Sequence, residues 1–112
     1  MARNTKPASL AASPRSAARV GDEHVCKHTT SGVPHKGGEI VSPGARTVFI
    51  GREPAARVGD RCFCEGGAFD VIVQGEPTVL IGGKPAARSG DATSGGLVVE
   101  GDETVLLGPA RR

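Results

Sequence analysis

Aromatic side chains are almost missing from this chain: 112 residues hold three Phe, no Trp and no Tyr. Aromatic rings supply much of the buried area in ordinary cores, and a domain this short already buries a low fraction of its surface. A core of small aliphatic side chains is marginal by itself, so the fold needs a further staple: a disulfide, a metal or a partner chain. Long apolar runs are lacking too, and no segment has the length of a membrane-crossing helix. The opening stretch MARNTKPASLAASPR has no continuous apolar region, so we expect no secretory signal peptide there. Nor does one sign of charge dominate. Fourteen Lys and Arg stand against twelve Asp and Glu, interspersed, for a formal net charge of +2. That balance gives no strong pull toward nucleic acid or anionic lipid. A zinc-ribbon nucleic-acid binder would also need Cys-x-x-Cys knuckles and stacking aromatics, and it stays only as a remote alternative.

Cysteine is scarce and odd in number: Cys26, Cys62 and Cys64. Cys62 and Cys64 are too close in sequence to bridge each other comfortably. A bridge from Cys26 would leave one thiol over. Reduced thiols near histidines point to a metal rather than to a bridged secreted scaffold.

What is abundant is glycine, at 17 residues, with eight prolines. Both break helix interiors, and short β-branched runs lie between them, a mixture that reads as short strands joined by tight turns. The length allows one domain. We place a slightly basic tail at 1–15 and the domain at 16–112.

Internal repetition organises that domain. Ser16-Ala17-Ala18-Arg19-Val20-Gly21-Asp22 is echoed by Pro54-Ala55-Ala56-Arg57-Val58-Gly59-Asp60 and by Pro85-Ala86-Ala87-Arg88-Ser89-Gly90-Asp91. Glycine pairs follow at 37–38, 66–67 and 95–96, and strand-like runs ending in Gly follow at 47–51, 78–82 and 104–108. Earlier short runs at 40–41, 71–73 and 97–99, with turns at 42–44, 74–77 and 101–103, make each unit read as a hairpin of two strands. A lone hairpin is unstable in water. Three of them can bury their apolar faces around a shared pseudo-threefold axis, and the plainer alternative is a β-sandwich with accidental similarity. Paired alanines let three backbones approach near the axis, and Gly21, Gly59 and Gly90 fit a backbone angle that a Cβ disfavours. Arg57 and Asp60 are spaced to bond each other or the turn, or else form a solvated pair of little worth.

Histidine and cysteine are clustered. His24, Cys26 and His28 alternate, which on an extended chain points all three to one side. With His35, Cys62 and Cys64, every His and Cys of the chain falls in the first two variable stretches. Nitrogen and thiolate donors favour tetrahedral zinc; the plain alternative is surface His and buried Cys without metal. A Cys–His nucleophile would want an orienting group and a cleft. Neither is evident, and we expect no enzyme.

At these residues the chain resembles the PAAR-repeat family, named for the Pro-Ala-Ala-Arg at 54–57 and 85–88, over about residues 16–112. The resemblance implies an all-β fold: a small cone of three pseudo-threefold β-hairpin repeats, stapled near its tip by one structural zinc ion. It maps ligands onto His24, Cys26, His35 and Cys64, with Cys62 or His28 as substitutes. Many members carry a His directly before the third glycine pair, where this chain has Ser94. On that ground the first two units build the metal tip and the third serves the base. The resemblance further implies that the base sits on a homotrimeric β-helical spike (VgrG-like, most simply in type VI secretion), one cap per trimer. The tips of phage-tail-like or extracellular injection particles are the alternative. Our candidates for the docking face are Val48, Ile50, Val79, Ile81, Val105 and Leu107, which read equally well as core. The implied roles are sharpening the spike, transient contact with a target membrane and delivery of effector proteins carried on separate chains, with no nucleic-acid partner. The protein would be made in the bacterial cytoplasm and ejected with the machine.

Overall fold

Gly- and Pro-punctuated runs this short can only make short strands, and the chain forms thirteen of them with no helix among the described residues. A computed structural model describes residues 14–27, 29–30, 32–34, 36–64 and 69–108. In chain order the strands are β1 (Arg15–Ala17), β2 (Glu23–Cys26), β3 (Thr29–Thr30), β4 (Val33–Pro34), β5 (Gly38–Ser42), β6 (Phe49–Ile50), β7 (Glu53–Pro54), β8 (Arg61–Phe63), β9 (Phe69–Val71), β10 (Glu76–Ile81), β11 (Lys84–Ala86), β12 (Gly96–Val98) and β13 (Asp102–Leu107).

Five strands form a curled antiparallel sheet in the order β12-β2-β5-β8-β9. Bridges between Ile72 and Thr93 and between Ala92 and Leu97 tie its two ends together. The Val73 amide donates to the Ala92 carbonyl at 3.0 Å and the Ser94 amide to the Val71 carbonyl at 2.8 Å. The sheet therefore closes on itself, which removes the bare edges that invite aggregation. Each unit hands over to the next in the same way: Ile40 pairs with Cys62, Ile72 with Thr93, and Val98 with His24. The small β3–β4 hairpin is an excursion within the first unit, between β2 and β5.

The second layer holds three two-stranded ribbons, β6–β7, β10–β11 and β1–β13. The last joins the two ends of the described chain, Arg15 opposite Leu107, and so completes the third repeat. The architecture is the expected all-β threefold repeat, but the pairing within each unit differs from the hairpin read off the sequence. β5 pairs with β2 and β8, while β6 pairs with β7. The turns at 42–44 and 74–77 carry the chain from one layer to the other instead of folding it back. Two separate apolar clusters explain this: Ile40, Ile72 and Val98 fill the curled sheet, whereas Ile50, Ile81 and Leu107 pack in the second layer.

The repeated Ala-Ala-Arg segment joins the layers. The Ala18 amide donates to the Ala87 carbonyl (2.9 Å), Ala87 to Ala56 (2.9 Å) and Ala56 to Ala18 (3.0 Å), a closed ring of three hydrogen bonds. All three alanines are essentially inaccessible, and a methyl is the largest side chain such a close approach tolerates. Just beyond, Gly21, Gly59 and Gly90 take φ of 101°, 98° and 89°, where glycine is favoured. Their amides reach the carbonyls of Ile40, Ile72 and Val98 at 2.8, 2.8 and 2.6 Å. The core contains no aromatic ring. All three Phe are exposed, and the staple anticipated from composition has to come from elsewhere.

Candidate metal centre

Three strands of the curled sheet, β2, β8 and β9, supply the candidate donors, and alternation turns one set of side chains from each inward. β2 alternates exposed and buried, so Glu23 and Val25 face out while His24 and Cys26 face in. Cys62 in β8 and Cys64 just beyond it face in on the same parity, as does Asp70 at the centre of β9. One donor atom from each of His24, Cys26, Cys64 and Asp70 lies within 4.8 Å of the others, and all four residues are buried.

The imidazole is oriented by its second nitrogen. His24 Nδ1 lies 2.8 Å from the Gly38 carbonyl oxygen. A carbonyl only accepts, so Nδ1 carries the proton and the Nε2 of a neutral ring presents a lone pair. That lone pair faces Cys64 Sγ at 3.5 Å and Asp70 Oδ2 at 3.3 Å. A lone pair opposed to a buried carboxylate is repulsive unless a proton or a metal cation sits between them. A ring N–H held by a backbone carbonyl is also the usual outer partner of a metal-bound histidine.

The carboxylate is anchored independently. Asp70 Oδ1 accepts the amides of Val71 (2.8 Å) and Gly95 (3.0 Å), and Oδ2 accepts the Thr93 hydroxyl (2.6 Å). The thiols respond to burial. Desolvation pushes Cys64 up to about 12, with the hydrogen bond to Cys26 and the charges of Cys26 and Asp70 adding to it. Cys62 is pushed up to about 12 by desolvation first and by Asp70 next. Both thiols are therefore protonated at neutral pH, and a cation at Cys64 would make its thiolate favourable. One nitrogen, two sulfurs and one carboxylate oxygen form a donor set that suits a tetrahedral metal.

Three of the four anticipated ligands, His24, Cys26 and Cys64, come together. The fourth, His35, and the substitute His28 lie outside the described residues. Cys62 sits in the apolar cluster with Ala18, Ile40, Ala56, Ile72, Ala87 and Val98. Asp70 was not anticipated. Its signal was parity: Asp70 shares a strand face with the inward Ile72, and an acid on an apolar inward face needs a partner.

The anticipated docking residues divide by depth. Ile50 is buried, Ile81, Val105 and Leu107 are partly buried against it, Val79 is partly buried, and Val48 is exposed. On the opposite strand face, Phe49, Leu80 and Leu106 occupy one repeat position and stand 58%, 61% and 58% exposed.

Strand crowding near the centre gives a direct test. A Cβ on Gly96 would overlap the carbonyl oxygen of Val25, the residue between His24 and Cys26. Gly96→Ala should cost about 2 kcal/mol by forcing β12 away from β2. Chemical denaturation reads this, and an unchanged midpoint would mean that the two strands are less tightly apposed than they stand here.

No curated protein matches the chain. The PAAR motif, in contrast, matches residues 30–101, well over half of the sequence, with most of the closed sheet and two of the three Ala-Ala-Arg turns, and on that match the chain belongs to the PAAR-motif family.

Proposed function

We propose that this protein is a structural tip that caps the trimeric β-helical spike of a contractile injection machine, and that it performs no catalysis. The observation that carries this reading is the hydrogen-bonded ring of Ala18, Ala56 and Ala87. It makes one chain pseudo-threefold, the symmetry needed to meet the end of a homotrimer, where three bare strand edges would otherwise remain. Membership of the PAAR-motif family supports the same role. The docking face is formed by the exposed repeat positions Phe49, Leu80 and Leu106, and the half-buried Ile81, Val105 and Leu107 on the other face of these ribbons pack beneath it. Repeated apolar positions of this kind mark a surface built for a partner. A single zinc ion held by His24, Cys26, Cys64 and Asp70 would keep the opposite end rigid while it contacts a membrane. The protein would be made in the bacterial cytoplasm and leave it with the spike and its effectors.

Co-purification with a candidate spike, followed by native mass measurement, tests the proposal. We expect one cap per three spike chains. Leu80→Asp should weaken that binding at least tenfold, because a charge in an apolar interface loses its hydration without gaining a partner. Phe63→Asp, on the curled sheet, should leave it unchanged. Three caps per trimer would contradict the symmetry argument, and equal losses from both substitutions would misplace the face.

A further inference from the structure

The third repeat has no His or Cys, and its inward positions are Thr93, Gly95 and Gly96, at the places where the first repeat has His24, Cys26 and Gly38. It nevertheless reaches the metal centre. Thr93 is 5% exposed, and its hydroxyl donates to Asp70 Oδ2 at 2.6 Å. The direction of that bond is fixed, because the Gly96 amide donates to Thr93 Oγ1 at 2.8 Å, leaving the hydroxyl proton for the carboxylate. Oδ2 is also the oxygen that faces His24 Nε2 at 3.3 Å, so the Thr93 bond sets the orientation of the carboxylate toward the other donors. The Gly95 amide, 3.0 Å from Oδ1 and 3.2 Å from Oδ2, holds the group from the same side.

We infer that Thr93 is a positioning residue for the metal: the third repeat contributes no ligand but holds Asp70 in its ligating orientation. This inference rests on the proposed zinc reading of the same site. A carboxylate free to turn loses part of its ligating geometry, and removal of such an outer partner typically costs 10- to 100-fold in metal affinity. Thr93 also bridges Ile72 where the sheet closes, so a purely structural role must be separable from the metal role.

The test uses the full chain with zinc(II) and cobalt(II) as probes. Thr93→Val keeps the side-chain shape and removes the hydroxyl, and Thr93→Ser keeps the hydroxyl. Chelator competition should show zinc affinity reduced about 10- to 100-fold in Thr93→Val and restored in Thr93→Ser. The cobalt(II) d–d absorption of Thr93→Val should shift from that of the parent, a change that loss of sheet stability alone does not produce. If Thr93→Val is unfolded without metal, the zinc concentration at which it folds gives the same comparison. Parental zinc affinity and an unshifted cobalt band in Thr93→Val would overturn the inference, as would a Thr93→Ser protein as weak as Thr93→Val. A parent chain that binds neither metal would instead overturn the zinc reading itself.

Discussion

Stripping the metal with a strong chelator is expected to lower the melting temperature by roughly 15–30 °C. That drop corresponds to a loss of several kcal/mol in a domain of this size. The cause lies in what the core lacks. Its largest fully buried apolar side chains are Ile40, Ile72 and Val98, and the four candidate ligands are buried with their donor atoms within 4.8 Å of one another. Without a cation, His24 Nε2 and Asp70 Oδ2 stand 3.3 Å apart with nothing but a proton to reconcile them. Cys64→Ala should reproduce most of the chelator effect, because loss of one of four ligands uncouples metal binding from folding. Cys62→Ala should keep its zinc and cost only about 1 kcal/mol, as an ordinary core truncation. Calorimetry with metal content measured on the same samples separates the cases. A Cys64→Ala protein with full zinc and full stability would transfer the ligand role to another donor such as Cys62, and a parent chain without zinc would remove the metal altogether.

The repeat made much of this fold readable. Three aligned copies of Ala-Arg-x-Gly-Asp exposed the alanine ring and the positive-φ glycines, because each copy faces the same steric demand. Strand partners were not readable. The runs at 40–41 and 47–51 are adjacent in sequence and look like the arms of one hairpin. Only packing shows that Ile40 and Ile50 belong to different apolar clusters. The centre divides along similar lines. The alternation of His24 and Cys26 announces their common inward face. Asp70 does not announce itself, because carboxylates are usually solvated and the other two repeats carry Gly38 and Gly96 at its place. Its parity with Ile72 was available in the sequence. What was missing was the buried hydroxyl of Thr93 from the third repeat, which makes an inward acid tenable there.

Replacing the repeated aspartates one at a time should give three different penalties despite their shared motif. Each caps its turn identically, accepting the amide of Arg19, Arg57 or Arg88 at 2.8 Å. The guanidinium contacts then diverge. Asp91 binds Arg88 through both oxygens, Nε at 2.9 Å and Nη2 at 2.8 Å, and also takes Arg15 at 3.0 Å. Asp22 binds Arg19 likewise at 3.1 and 2.9 Å. In the second unit Arg57 turns to the Gly44 carbonyl at 3.1 Å, and the ion pair with Asp60 lengthens to 3.6 Å. Arg57 Nε and Asp60 Oδ1 are left without hydrogen-bond partners. The reason is two residues before each repeated threonine. Glu76 and Asp102 stand there in the other units, each capping its threonine and reaching an arginine, Arg88 or Arg19, whereas the first unit has Ala45. Asp91→Ala removes three guanidinium contacts and leaves the buried Arg88 with Glu76 alone, and should cost about 3–5 kcal/mol. Asp22→Ala loses a pair whose arginine is partly exposed and should cost about 2 kcal/mol. Asp60→Ala removes one oxygen that lacks a hydrogen bond and one that caps the Arg57 amide, and about 1 kcal/mol is expected. Acid should expose the same network. The Thr78 hydroxyl and amide, with desolvation opposing them and Arg88 adding to them, hold Glu76 below the usual carboxylate range. A folded value below the unfolded one means that this stabilisation is present above the unfolded value and is lost as pH falls through the folded one. Glu76→Gln should flatten that part of the acid limb. Urea midpoints for the three alanine variants, measured zinc-loaded at neutral pH, decide the ranking. Equal penalties would mean that the aspartates act only as turn caps, with no energetic part for the guanidinium pairing.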